Sequence, residues 1–254
     1  LAGKGGMVWT KNRDSSASHY VYDTERGVDE AIFPNKTDYE TADRDFSSFD
    51  SEGYTLKAGS GTNSNTENYV SWTFRKAPGF FDIVTYTGDS VAGRTIAHNL
   101  GSAPTCIIVK CLSHVKNWPV YHVGMAADAA TDYMFLDTVG QAYDSAGYWN
   151  DTAPTSTEFT VGDDYDVNGD TRTYVAYLFA DLDGISKCGT YSGTGVAQNI
   201  ECGFETTARF LIIRRADNVG SWNIVDSTRG YGAGNDPVLW ADGSGAEYTS
   251  IDFV

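Results

Sequence analysis

The sequence predicts an all-β protein built from tandem antiparallel β-sandwich repeats, jelly-roll-like in outline and about 105 residues long. Two observations carry this prediction. The composition favours turns and strands, with 27 glycines and 13% aromatic residues in a chain of 254 residues. The chain also repeats itself, and self-similarity at a fixed period is the signature of a repeated structural unit.

The first repeated segment carries a buried-strand pattern. Residues 69–88, "YVSWTFRKAPGFFDIVTYTG", align without a gap with residues 174–193, "YVAYLFADLDGISKCGTYSG", at a shift of 105 residues. Tyrosine, valine and phenylalanine recur at the same places in the two strands that open these segments. The pattern predicts a central strand in each repeat.

A second segment occurs three times: "MVWTKNRDSSASHYVYDTERG", "IIVKCLSHVKNWPVYHVG" and "LIIRRADNVGSWNIVDSTRG". The runs "CIIVK" and "FLIIR" are too short for helices, which predicts inner strands that each end at a solvated Lys or Arg. The aligned cations are Lys11, Lys110 and Arg214, and the aligned rings are His19, Trp118 and Trp222. Because the rings precede alternating apolar positions, we expect all three to be buried.

The repeats divide the chain into three units. Residues 1–80 form a partial unit that lacks its first strands, residues 81–185 form a complete unit, and residues 186–254 form a partial unit that lacks its last strands. In the third unit we predict strands at 186–193 and 196–203, and a short helix is expected only around 124–132. Open strand positions expose backbone groups, so we expect other parts of the polypeptide or a neighbouring copy to fill them.

Net charge and hydropathy argue against two classes of partner, nucleic acids and membranes. The net charge is −16 and the basic residues are scattered, which argues against nucleic acid as a partner. No apolar run is long enough for a membrane helix, so membrane insertion is not expected. The four cysteines are predicted to be free thiols; a hairpin turning near Gly195 would instead place Cys188 opposite Cys202.

Two loops are candidate binding sites. The stretch "DDYDVNGD" resembles the first half of an EF-hand loop, which makes Asp164, Asp166, Asn168 and Asp170 candidate Ca²⁺ ligands; the alternative is a plain Asn-Gly hairpin turn. No other cofactor is predicted. Tyr148 and Trp149 lie in a loop-like context and are candidates for a sugar-stacking platform.

The charged motif that recurs is interpreted as structural. Asp23 with Arg26, and Asp226 with Arg229, form an Asp-x-x-Arg-Gly turn in which the carboxylate accepts from backbone amides and faces the guanidinium. No Gly-x-Ser-x-Gly elbow, phosphate loop or paired nucleophile and base occurs in the sequence. We therefore predict a protein that is not an enzyme, although a glycosidase pair among the many carboxylates stays open.

The strings "GMVWTKNR", "YVYDTERG", "YVSWTFRKAPGFFDIVTYTG", "NWPVYH" and "TYVAYLFA" resemble a family of tandem-repeat phage virion proteins. The likeness covers nearly the whole chain. Proteins of this family occur in tail-fibre-like proteins, notably of marine phages, and carry domains of unknown function. The third unit departs from the family pattern by stopping at "TSIDFV", where family members continue to a last turn and strand.

The resemblance implies a non-enzymatic virion appendage protein, such as a tail fibre, that contributes to attachment to the host surface. It implies a location in the virion, after assembly in the host cytoplasm. The expected partners are other virion proteins, further copies of the chain and a glycan or protein of the host surface. The alternatives are a purely structural role, as a capsid decoration, fibre shaft or adaptor, and a polysaccharide-degrading enzyme.

Overall fold

The structure is a computed structural model that describes residues 1–42, 45–59, 61–125, 129–231 and 234–251. Strands make up 38% of the structure and helix 2%. Every pairing between described strands is antiparallel. The predicted all-β, antiparallel fold class is confirmed, and the number of repeats stays a prediction.

The described chain contains nineteen strands and one short helix. In chain order they are β1 (Gly6–Asn12), β2 (His19–Asp23), β3 (Gly27–Ile32), β4 (Thr41–Ala42), β5 (Phe46–Asp50), β6 (Gly53–Leu56), β7 (Tyr69–Arg75), β8 (Phe81–Thr87), β9 (Arg94–Ala97), β10 (Cys106–Cys111), β11 (Pro119–His122), β12 (Asp132–Phe135), β13 (Tyr143–Asp144), α1 (Ala146–Trp149), β14 (Glu158–Val161), β15 (Thr173–Phe179), β16 (Phe210–Ile213), β17 (Asn223–Asp226), β18 (Asp236–Trp240) and β19 (Tyr248–Ile251).

The first sheet has the strand order β4-β3-β2-β1-β7. All seven residues of β1 are buried, because both faces of the sheet are covered. On the outer face the β5–β6 hairpin packs over Val8 and Tyr22, with Phe46 at the centre of that cluster. The inner face contributes Trp9, which lies opposite Trp72 in the β1–β7 register.

The second sheet has the order β13-β12-β11-β10-β15-β8. The β9–β14 pair and α1 cover its outer face and enclose a second apolar cluster. The helix begins at Ser145, whose side chain accepts from the Gly147 amide, and it ends at Asn150 in the left-handed conformation, with φ 53°. The helix expected around 124–132 lies partly outside the described residues.

The third sheet has the order β16-β17-β18-β19. The strands predicted at 186–193 and 196–203 are wrong, because residues 187–208 form no strand. In the second sheet, the strands that align with these two segments are β8 and β9. They are stabilised there by pairing with β15 and β14 respectively. Among the described residues, the third sheet contains no counterpart of either partner, and an isolated strand is not stable in water.

The inner faces of the three sheets share one apolar core. That cluster includes Met7 and Trp9 from the first sheet, Val120 and Tyr177 from the second, and Ile224 from the third. The three rings predicted to be buried are so: Trp118 is 1% exposed, Trp222 6% and His19 0%. All four cysteines are free thiols, as predicted.

The predicted boundaries near residues 80 and 185 fall in the connections between sheets. The first sheet ends with β7 and the second begins with β8, and the second ends with β15 before the third begins with β16. The division into one complete and two partial repeats stays a prediction.

Candidate functional site: the contacts that join the three sheets

The turn after β2 is a buried ionic corner. Oδ1 of Asp23 accepts from the amides of Glu25 and Arg26, each at 3.0 Å, and Oδ2 accepts from Nε of Arg26 at 2.5 Å. The guanidinium also donates to the Val21 carbonyl at 3.1 Å and to Glu40 at 2.9 Å. The predicted pinning of the turn by its own Asp-x-x-Arg motif is confirmed here.

The turn after β17 repeats this corner group by group. Oδ1 of Asp226 accepts from the amides of Thr228 and Arg229 at 3.0 and 2.9 Å, and Oδ2 accepts from Nε of Arg229 at 2.6 Å. The guanidinium donates to the Ile224 carbonyl at 3.0 Å and to Glu247 at 3.1 Å. The same motif therefore builds the same hydrogen-bond set twice.

Each corner also receives an aromatic side chain from a neighbouring sheet. The hydroxyl of Tyr177, on β15, donates to Oδ2 of Asp23 at 2.7 Å. The indole N–H of Trp72, on β7, donates to Oδ2 of Asp226 at 3.0 Å. Trp72 and Tyr177 align at the shift of 105 residues. The corners thus join the second sheet to the first and the first sheet to the third.

These buried groups have shifted pKa values. Burial alone would raise the pKa of Asp226, but hydrogen bonds from Arg229 and Trp72 hold it below the ordinary value. Burial likewise opposes the charge on Arg26, and the Asp23 carboxylate beside it raises the pKa of the guanidinium. Burial and then the nearby Asp23 charge raise the pKa of Tyr177 well above its usual range. Asp226 and Arg26 are therefore charged, and Tyr177 is neutral.

A second set of contacts uses the three aligned rings. Nε1 of Trp118, on the second sheet, donates to the Lys36 carbonyl of the first sheet's chain segment at 2.9 Å. Nε1 of Trp222, on the third sheet, donates to the Phe135 carbonyl of the second at 2.8 Å. Each indole thus donates a hydrogen bond to the chain segment of the sheet that precedes its own.

His19 closes the cycle from the first sheet to the third. Its Nδ1 lies 2.8 Å from the Trp9 indole nitrogen, and its Nε2 lies 3.0 Å from the Trp240 carbonyl oxygen. Because an indole N–H can only donate, Nδ1 of His19 is the acceptor. Nε2 therefore carries the ring proton and donates a hydrogen bond to the Trp240 carbonyl. Burial, and then the nearby Lys11 charge, lower the pKa of His19 to about 3. The three sheets are thus joined in a closed ring.

The predicted solvation of the strand end is wrong for Lys110, and the aligned Lys11 is buried as well. Lys11 and Lys110 are both 0% exposed. Their ammonium groups donate to main-chain carbonyls, of Asn12 at 2.6 Å and of Thr37 at 3.0 Å. Burial lowers the pKa of each lysine to about 8. The carbonyl oxygens replace water as acceptors, and the Thr37 carbonyl belongs to the first sheet's chain segment, so Lys110 also joins two sheets.

The second sheet has a third corner of different chemistry. The strand register identifies the equivalent corner residue of each sheet. Asp23 pairs with Met7 in the first sheet, His122 with Cys106 in the second, and Asp226 with Phe210 in the third. Nδ1 of His122 accepts from the Gly124 amide at 3.0 Å, as the aspartates do from their own turns. Burial lowers the pKa of His122.

Tyr148 and Trp149 do not form the predicted sugar platform. They are 6% and 1% exposed and belong to the core that α1 covers. Tyr148 stacks on Tyr133 with ring centroids 3.6 Å apart, and Trp149 packs edge-on against Tyr121. The loop-like sequence forms a helical turn whose aromatic side points into the protein, so neither ring face is open to a ligand.

Three of the four candidate calcium ligands make other contacts. Asn168 is 0% exposed and its amide donates to the carbonyls of Val91 and Gly162. Asp164 accepts from the Asp166 amide at 2.7 Å, and Asp166 pairs with Lys116 at 3.4 Å. Asp170 is exposed. Within the described residues, no group of three or more His, Cys, Asp or Glu side chains is placed to hold a metal ion.

A cleft of about 270 Å³ lies where the first and third sheets meet. Glu247 spans this junction, since it binds Arg13 at 2.8 Å and Arg229 at 3.1 Å. The lining residues include Tyr69, Val70, Ser71 and Trp72 of β7 together with Arg209. Consecutive strand residues point to opposite faces, so a cleft that touches all four runs along an edge of β7.

The fold and the contacts between the sheets define the class of this protein. Its structure defines an all-β protein whose three larger antiparallel sheets share one core and are joined by buried polar contacts. Residues 2–254 match a family described as a domain of unknown function, DUF7483, and the chain belongs to that family. No curated protein and no solved structure matches the chain. None of the described helices is long and apolar enough to cross a membrane.

Proposed function

We propose that this protein is a non-enzymatic component of a phage virion appendage, such as a tail fibre, and that it contributes to attachment to the host surface. Its partners would be other virion proteins, further copies of the chain and a host glycan or protein. The likeness in the repeated strings supports the virion location. The alternative is a purely structural role in a capsid decoration, fibre shaft or adaptor.

The single observation that carries the proposal is that the two buried ion pairs, at the turns after β2 and β17, are bound within the protein itself. Asp23 and Arg26, with side chains 0% and 2% exposed, are engaged with each other and with a neighbouring sheet. Asp226 and Arg229 are engaged in the same way. Buried, fully hydrogen-bonded ion pairs fix one arrangement of the elements that carry them, which suits a rigid scaffold.

The attachment role is favoured over a passive role by the exposed tyrosines. Tyr39, Tyr165 and Tyr191 are each at least half exposed. A tyrosine ring offers a flat apolar face and a hydroxyl, which suits contact with sugars and proteins. Lys116 and Arg172 lie over the Tyr165 ring, at 5.7 and 4.7 Å from its centroid, and hold it in place.

The test is competition for adsorption. Purified protein is added to host cells before phage, and the fraction of phage adsorbed is measured. The proposal predicts that the protein binds cells and lowers adsorption, and that Tyr165→Ser weakens both effects while Ser192→Ala, at a non-aromatic exposed position, leaves them unchanged. Protein that neither binds cells nor lowers adsorption contradicts the attachment role, and a virion map that shows this fold buried in a shaft would favour the structural alternative.

The enzyme alternative has its own readout. Host envelope polysaccharide is incubated with the same purified protein, and reducing ends are counted. The proposal predicts no release above the buffer control, whereas release that grows with protein concentration would make the protein a polysaccharide-degrading enzyme.

A further inference from the structure

The three sheets differ in one strand position. In the first sheet β1 is paired on one side by β7, and in the second sheet β10 is paired on the same side by β15. In the third sheet β16 is the counterpart of β1 and β10, and it ends the described strand order with no partner on that side. Two of the three equivalent positions are therefore filled, each by a strand that opens with Tyr-Val and continues to an aromatic residue and Phe.

The free edge of β16 presents backbone groups for pairing. The Arg209 carbonyl accepts from the Ser227 amide, so the residue just before β16 faces β17. Successive residues of an antiparallel strand face opposite neighbours. The N–H and C=O groups of Phe210 and Ile212 therefore face away from β17, toward the open side.

The side chains of β16 are also incompletely covered. Leu211 and Ile213 are partly exposed, whereas their counterparts Ile107 and Val109 on β10 are 1% and 0% exposed. The segment aligned with β8 is unpaired as well, with Tyr191 50% exposed. Among the described strands of the second sheet, β8 pairs only with β15. A strand in the β15 position would pair with the free edge of β16 and give the segment at 186–193 its partner.

The register fixes the chemistry of the missing strand. Trp72 lies opposite Trp9, and Tyr177 lies opposite Ile108. The corresponding position opposite β16 is Ile212. Trp72 and Tyr177 each donate to the corner of a neighbouring sheet, and in the closed ring the remaining corner is the one at His122.

We propose that the free edge of β16 is an acceptor for one antiparallel strand with the sequence pattern of β7 and β15. That strand carries Tyr-Val at its start, an aromatic residue opposite Ile212 and Phe two residues later. Its main chain pairs with Phe210 and Ile212, and its aromatic ring enters the shared core with the polar atom directed to His122. This mode is β-strand addition, in which main-chain hydrogen bonds give affinity and alternate side chains give specificity.

The probe is a labelled peptide with the sequence of residues 173–181, "TYVAYLFAD", titrated into the full chain and followed by fluorescence anisotropy. We expect saturable binding of one peptide per chain. In the peptide, Tyr177→Ala should weaken binding about tenfold, because both the ring and its hydroxyl are lost. Absence of saturable binding, or equal binding of the alanine peptide, would overturn the proposal.

A matched pair of protein variants locates the site. Ile212→Pro removes an amide from the free edge of β16, and Thr73→Pro removes one from the free edge of β7. We expect the first to weaken peptide binding about tenfold or more and the second to leave it unchanged; circular dichroism verifies that both variants are folded. The reverse pattern would place the peptide on β7 and overturn the proposal. Binding that splits a preformed dimer would support it and show that the strand comes from a second copy of the chain.

Discussion

The hydroxyl of Tyr177 donates to the carboxylate of Asp23 at 2.7 Å across 154 residues of sequence. The acceptor already holds a guanidinium and two backbone amides. The tyrosine of the second sheet therefore adds a hydrogen bond to the buried ion pair of the first sheet. Trp72 of the first sheet does the same at Asp226 of the third. The repeated turn motif stabilises its own hairpin and also provides a buried anionic acceptor for the neighbouring sheet.

Removal of the hydroxyl should weaken the fold. We expect Tyr177→Phe to lower the free energy of unfolding by about 2 kcal/mol, because a hydrogen bond to a buried charge is lost while the ring stays in place. Urea unfolding measures the change. Tyr39→Phe, at a site 53% exposed, is the control and should cost little. Equal costs for the two variants would mean that the corner does not depend on its aromatic partner.

His19 should make stability depend on pH in mildly acidic solution. Its folded pKa of about 3 lies below its ordinary value of 6.5, so between these values the unfolded chain binds a proton that the folded chain does not. Stability therefore falls as the pH is lowered through this window, by up to about 1.4 kcal/mol per pH unit for this one group. Unfolding measured between about pH 6.5 and about pH 5 should show a shallower slope for His19→Gln than for the wild type. His114→Gln, at an exposed site, should keep the wild-type slope.

The buried lysines should also make the free energy of unfolding rise with pH, in this case in alkaline solution. The folded pKa of Lys110 is about 8 and its ordinary value is 10.5, so in this interval the unfolded chain holds the proton that the folded chain has lost. Stability therefore rises with pH through the interval. We expect the free energy of unfolding to increase between about pH 7.5 and about pH 9.5, and Lys110→Met to reduce that increase. Lys57→Met, at an exposed site, should not; a stability that falls with pH in the wild type would contradict the burial of both lysines.

Two tryptophans of equal burial should respond differently to substitution. Trp118 and Trp149 are each 1% exposed, but Trp118 donates to the Lys36 carbonyl, whereas the Trp149 indole N–H has no acceptor among the described residues. Trp118→Phe loses this hydrogen bond, whereas Trp149→Phe removes an N–H that has no acceptor among the described residues, so Trp118→Phe should cost about 1 to 2 kcal/mol more than Trp149→Phe. Thermal unfolding of the two variants measures the difference. A larger cost for Trp149→Phe would contradict these assignments.

Local pattern was sufficient to predict the strands of the core and their corners. Alternation identified β7 and β15, and the Asp-x-x-Arg-Gly motif identified the turns, because both features depend on residues close together in sequence. The alignment also carried a signal for the inter-sheet contacts that was not used. Trp72 and Tyr177 occupy the same repeat position, and both side chains can donate a hydrogen bond.

The features that were missed depend on distant partners. The burial of Lys110 requires the Thr37 carbonyl, 73 residues away. Tyr148 looked exposed because its own segment resembles a loop, and its burial depends on the stacked Tyr133 ring. The segment at 186–193 has the pattern of a strand but no partner strand among the described residues, and pairing decides whether such a pattern forms a strand.

The most direct test of the central claim, that buried contacts join the three sheets into one rigid body, is the cooperativity of unfolding. Differential scanning calorimetry of the whole chain gives a calorimetric enthalpy and a van't Hoff enthalpy, which are equal for a single all-or-none transition. The closed ring of contacts predicts one transition with a ratio of the two enthalpies near one, and a shift of that whole transition to lower temperature in Tyr177→Phe. Two or three resolved transitions, with only one of them displaced by Tyr177→Phe, would contradict it.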